Sequence, residues 1–148
     1  MFVFFGLVAT VGSTFVQIER ITGLSVAAGV AVGFGAVALL VVNNLRDIPT
    51  DRFAGKKTLA VRIGEKRTRG LYVVLVVGAL LVAALTALDR PPALLAVASA
   101  IFATVPLQAV VKGARGRQLV PVLVATGRWQ LVFGVLYAAG LWLGGRST

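Results

Sequence analysis

The chain has 148 residues, 58% of them hydrophobic, with a mean hydropathy of +0.93 and a formal net charge of +10. Such a composition excludes an ordinary soluble domain. Cysteine and histidine are both absent, which removes disulfide and thiol chemistry, the usual general base and the usual zinc ligand.

The charged residues divide the chain into uncharged runs at 1–18, 21–45, 70–88, 91–111 and 129–145. A helix crosses a bilayer with about 17–25 apolar residues, so each run is long enough and the chain reads as an all-α, polytopic membrane bundle of five spans. The first run opens on Met1-Phe2-Val3-Phe4-Phe5 without a basic leader or a small-residue cleavage site, so it is not a signal peptide. It reads as a chain that begins inside a helix, a single transmembrane domain over 1–148 that is incomplete at its N-terminus. The second run is rich in small residues, including a Gly29/Gly33 pair, which lets helices approach closely and predicts a central position. Pro49 is expected to kink or fray that helix.

The segment 51–69 is the longest polar stretch, and its few apolar residues do not separate a strand from a helix. A short helix on the membrane surface is expected there. Runs three and four are joined by Asp89-Arg90-Pro91-Pro92, a tight turn that makes them an antiparallel pair. Pro106 should kink the fourth. The loop 112–128 carries Gly113, Gly116 and Pro121 as breakers, with the apolar residues 119–124 resting on the membrane. Trp129 and Trp142 fit interfacial anchors at the two ends of the last run.

If the runs alternate across the membrane, the side bearing 46–69 and 112–128 carries 12 of the 15 basic residues. The positive-inside rule then puts that side in the cytoplasm of a cell membrane. The charge is thus read as topological, and nucleic-acid binding is not expected.

Only five residues are acidic, and two of them, Asp47 and Asp51, stand four apart at the rim of the second run. At helical spacing they share a face, with Asn43 one turn behind and Asn44 beside it. Two plain alternatives are open on the residues alone. The carboxylates can form salt bridges with Arg46, Arg52 or the lysines that follow, or they can hold a hard cation through carboxylate and amide oxygens. Lys56, Lys57 and Arg62 put cations at the same mouth, and metal-holding carboxylates flanked by basic side chains are the parts needed to bind a diphosphate. Gly55-Lys56-Lys57-Thr58 lacks the first glycine and the preceding strand of a P-loop, so that reading fails.

Asn43-Asn44-Leu45-Arg46-Asp47-Ile48-Pro49-Thr50-Asp51, followed by Gly55-Lys56-Lys57-Thr58-Leu59-Ala60-Val61-Arg62-Ile63-Gly64, closely resembles the second aspartate-rich motif of the intramembrane aromatic prenyltransferases. Within that family it is most similar to the branch acting on 1,4-dihydroxy-2-naphthoate in menaquinone synthesis. Val3-Phe4-Phe5-Gly6 with Gly12-Ser13 resembles the family's fifth helix, and Leu119-Val120-Pro121-Val122-Leu123 with Thr126 and Gly127 the segment before its last. The resemblance implies the C-terminal five helices of a nine-helix bundle around a cavity open to the lipid bilayer.

It also implies that Asp47 and Asp51 are catalytic residues and magnesium ligands supported by Asn43 and Asn44. Arg46, Lys56, Lys57 and Arg62 would hold the diphosphate of a polyprenyl diphosphate, and manganese would suit the same oxygen ligands. The family's first aspartate-rich motif has no counterpart, since no acidic residue precedes Glu19, and Thr14 and Phe15 stand where the family often has tyrosines. The chain alone is therefore expected to be inactive. The alternative class is a non-enzymatic membrane protein, such as a transporter piece with a cation site at Asp47/Asp51. Such a protein calls for polar groups at mid-span, and these runs hold few.

Overall fold

A computed structural model describes residues 3, 8–19 and 22–145. Arg20, Arg146 and the segment 4–7, which carries part of the fifth-helix resemblance, lie outside the described residues. The described chain is built from helices: α1 (Ala9–Ile18), α2 (Gly23–Phe53), α3 (Leu59–Thr86), α4 (Leu95–Ala98), α5 (Ala100–Val111) and α6 (Leu119–Gly145). Three helices are long and apolar enough to cross a membrane: α2, α3 and α6 with its preceding turn. A fourth span is completed if residues 91–111, bent by 42°, are taken as one.

α2 starts on a reciprocal cap. Thr22 Oγ1 accepts from the Ser25 amide and Ser25 Oγ accepts from the Thr22 amide, both at 3.1 Å, which satisfies two of the donors a helix start leaves open. Its 31 residues run through Pro49 to Phe53, so the helix does not end at the proline. Its small residues Ala28, Gly29, Ala31, Gly33, Gly35 and Ala38 are buried, and α2 packs along α3 and against α1 and α6. The central position expected of it follows from that face. A Cβ on Gly35 would meet Gln130 of α6 at 3.3 Å, and one on Gly78 of α3 would meet the Phe34 ring of α2 at 3.0 Å. A larger side chain at either position would have to push its neighbour aside, so the small residues keep these helices close.

The surface helix expected in 51–69 is reduced to a single turn over 59–63. Gly64 then takes φ 80° and ψ 168°, a conformation side chains disfavour, and the helix restarts at residue 65. Residues 65–69 thus belong to the base of the third span. Thr86 accepts the amides of Asp89 and Arg90, making the expected tight turn before the 3-10 helix Pro91–Leu94.

Three further expectations need correcting. Pro106 lies inside α5, and the bend falls at Ser99 instead, where short-range bonds from Ser99 to Ala96 and from Phe102 to Ser99 tighten the chain. Residues 119–124 are not a loop on the membrane. They are the first turns of α6, with Leu119 and Val122 buried and Pro121 near the N-terminus, where a missing amide costs little. Trp129 is fully buried rather than interfacial. It stacks at 5.7 Å on Phe133, which stacks at 5.5 Å on Tyr137. Trp142 is 58% exposed, as an anchor would be.

Two buried hydroxyl pairs join α3 to α6. Tyr72 meets Thr126 at 2.7 Å and Thr86 meets Tyr137 at 2.8 Å. Each helix gives one tyrosine and one threonine, and each threonine also donates to its own helix, at Val122 and Val82.

Candidate functional site

The motif lies on the last three turns of α2, the link to α3 and the first turn of α3. Running α2 past Pro49 keeps Asp47 and Asp51 at helical spacing, and Thr50 Oγ1 donates to the Asp47 carbonyl at 2.9 Å. Asn43, Asn44, Arg46 and Asp47 are half-buried, Asp51 is 9% exposed, and Lys56, Lys57 and Arg62 are exposed. The carboxylates therefore sit at an apolar rim with the lysines beyond it.

Both carboxylates have cationic partners. Arg46 grips Asp47 with both prongs, Nε to Oδ1 at 2.7 Å and Nη2 to Oδ2 at 3.0 Å. Adjacent helix residues do not normally face each other, so the guanidinium folds back along its own turn. Lys56 Nζ stands 3.6 Å from Asp51 Oδ1, and the Lys56 amide donates to the Asp51 carbonyl at 2.8 Å. The salt-bridge alternative is thus realised at Arg46 and Lys56, whereas Arg52, Lys57 and Arg62 make no ion pair among the described residues. In each pair the cation is reachable by solvent, Arg46 in part and Lys56 largely, so either can be exchanged for a stronger partner.

Asn44 points to a different neighbourhood. With Val37, Leu40, Val41, Leu59, Ala60, Ile63, Thr68 and Leu71 it lines an apolar cavity of about 130 Å³ between α2 and α3. Among the described residues no group of three or more acidic, histidine or cysteine side chains is assembled. Two carboxylates with neighbouring amides are hard oxygen donors, the kind magnesium accepts one or two at a time beside phosphate oxygens. The donor chemistry fits such an ion once Arg46 and Lys56 let go.

The sequence reading missed a second charged cluster. Glu65 Oε1 accepts from Arg69 Nη2 at 2.5 Å and from Arg115 Nε at 2.8 Å. Arg69 also donates to the Val110 and Ala114 carbonyls at 2.6 and 2.8 Å. The signal was present: Glu65 and Arg69 are four apart, but only the restart of the helix at residue 65 makes that spacing count.

A helical bundle with carboxylates, amides and guanidinium groups at the rim of one span defines a polytopic membrane protein with an oxygen-donor site at its edge. The chain belongs to the UbiA prenyltransferase family, whose model matches residues 1–120. It is 41% identical over 97% of its length to the 1,4-dihydroxy-2-naphthoate octaprenyltransferase of Mycobacterium tuberculosis, of which it covers 49%. It is 39% identical to the protein of the same description from Mycobacterium leprae, covering 50%, and 35% identical to that of Haemophilus influenzae, covering 47%. The chain thus spans about half the length of these curated relatives. No solved structure matches it significantly.

Proposed function

We propose that this chain carries one jaw of a magnesium–diphosphate site for transfer of a polyprenyl group from polyprenyl diphosphate to 1,4-dihydroxy-2-naphthoate. The observation that carries this reading is the rim of α2, where Asp47 and Asp51 share a helix face and hold only weak partners. The relatives' printed description supports the acceptor and the polyprenyl donor, and it favours this reading over an ion-coupled transporter.

In this account Asp47 and Asp51 would hold the metal, with Asn43 one turn behind supporting them, while Asn44 faces the separate cavity toward α3 and drops out of the ligand set. Arg46, Lys56, Lys57 and Arg62 grip the phosphate oxygens, as guanidinium and ammonium groups do. Binding exchanges Arg46 from the Asp47 carboxylate to a phosphate, so the resting ion pair is a latch. Magnesium supplies Lewis-acid stabilisation of the leaving diphosphate. The allylic C–O bond breaks, the diphosphate leaves with the electron pair, and the allylic carbon bonds the electron-rich ring, which loses its carboxylate as carbon dioxide. The concentration of basic residues in 46–69 and 112–128 supports a cytoplasmic orientation for the rim.

A chimera tests the proposal. The matched half of the Mycobacterium tuberculosis relative is replaced by this chain, and prenyl transfer is assayed in membranes with magnesium. Transfer by the chimera, with none from the 148-residue chain alone, is expected. A folded chimera without activity would count against the function. Transfer by the chain alone, abolished by Asp47→Ala, would contradict the one-jaw reading.

A further inference from the structure

On another side of α2, Leu45, Ile48, Pro49 and Arg52 share a face. At ~100° per residue this face is centred roughly 130° around the helix from that of Asp47 and Asp51. With Arg46, Glu65, Arg115 and Gly116 these residues line a second cavity of about 270 Å³ where α2, the base of α3 and the turn before α6 meet. It holds three guanidinium groups and one carboxylate.

That carboxylate is already engaged. Glu65 takes the guanidiniums of Arg115 and of Arg69, which stands behind the cavity wall, on one oxygen, and Arg69 fixes the same turn through the Val110 and Ala114 carbonyls. Arg115 is held through Nε, and its terminal nitrogens have no bonded partner among the described residues. Arg52 has no ion pair there either. The floor is apolar, from Leu45, Ile48 and Pro49. A pocket with free guanidinium nitrogens over an apolar floor, at the end of a membrane bundle, suits an anionic group that carries hydrocarbon beside it.

We propose that this cavity binds the phosphate of an anionic phospholipid headgroup, with Arg52 and Arg115 as its ligands and Glu65 and Arg69 as the residues that position Arg115. Arg46 lines the cavity too, but its guanidinium is taken by Asp47; the ligands Arg52 and Arg115 lie off the Asp47/Asp51 face, and the proposal stands whether or not the prenyl-transfer reading holds. Basic side chains near a bilayer surface contribute about a factor of five each to the binding of anionic lipid.

The purified 148-residue chain in neutral detergent is titrated with phosphatidylglycerol or phosphatidylcholine, and bound lipid is counted by native mass spectrometry. Phosphatidylglycerol should be preferred, and R52Q/R115Q should reduce that preference by roughly thirtyfold. K112Q/R117Q, which removes as much charge outside the cavity, should leave the preference within about twofold, because in neutral detergent no anionic bilayer surface acts on those residues and the bound headgroup meets only the cavity's own guanidiniums. Inorganic phosphate distinguishes the sources: lipid retained in its presence supports a headgroup site, and displacement by phosphate alone shows a free-phosphate site and overturns the lipid assignment. Equal retention of the two lipids, an unchanged R52Q/R115Q, or an equal loss in K112Q/R117Q would also overturn it. Circular dichroism of each variant separates loss of the site from loss of the fold.

Discussion

The rim of α2 and the seam between α3 and α6 treat polar groups in opposite ways. Along the seam, Tyr72, Thr126, Thr86 and Tyr137 are buried and satisfy one another, so their bonds have no competitor. At the rim, Asp47 and Asp51 hold cations across partly open ion pairs, and water or a ligand can take either partner. The seam therefore fixes the bundle, while the rim keeps its charges available.

The largest expected effect lies in the seam. Trp129→Ala removes a fully buried ring and should cost about 3–5 kcal/mol, read from denaturation in mixed micelles. Trp129→Phe is the sharper companion, because Nε1 of Trp129 has no hydrogen-bond partner and its loss carries no bonding cost. A large destabilisation by Trp129→Phe would show that the nitrogen is used.

Asp51→Asn should lower prenyl transfer by the chimera about 100-fold, roughly 2.7 kcal/mol of transition-state stabilisation, with thermal stability unchanged. If stability falls and activity does not, Asp51 belongs with the seam residues. Arg46→Gln removes the ion pair on Asp47 and, on the proposed function, a phosphate ligand with it. It should raise KM for the prenyl diphosphate about tenfold and change kcat little, and a kcat effect alone would remove Arg46 from substrate binding.

Tyr72→Phe should be the smallest, about 0.6 kcal/mol, the average for hydrogen bonds between membrane helices. Thr126 keeps its bond to Val122, so no donor is stranded. Raising the salt should weaken the rim pairs and leave the seam unchanged.

Much of the rim was legible because function confines it to one contiguous stretch, 43–64. Asp47, Asp51 and the lysines are recognisable without any tertiary contact. The pairing of Arg46 with Asp47 was open to the sequence only as one alternative, since adjacent helix residues seldom meet. The seam was less legible. Arg128 ended an uncharged run and so hid the first ten residues of α6, yet one exposed arginine on a long helix does not end it. Trp129 then looked like the start of the span when it lies well inside. Both Tyr–Thr pairs join residues more than 50 apart, and nothing local announces them. The bend before α5 falls at Ser99 rather than at Pro106, through tight backbone bonds that no breaker residue announces in the sequence.

The central claim is that the Asp47/Asp51 rim grips a prenyl diphosphate through a divalent cation. Its most direct test is binding of farnesyl diphosphate to the purified chain, titrated with and without magnesium, for the native sequence and for Asp47→Asn. The account predicts binding that needs magnesium and is lost in the variant. Binding that ignores magnesium, or that survives Asp47→Asn, would contradict it.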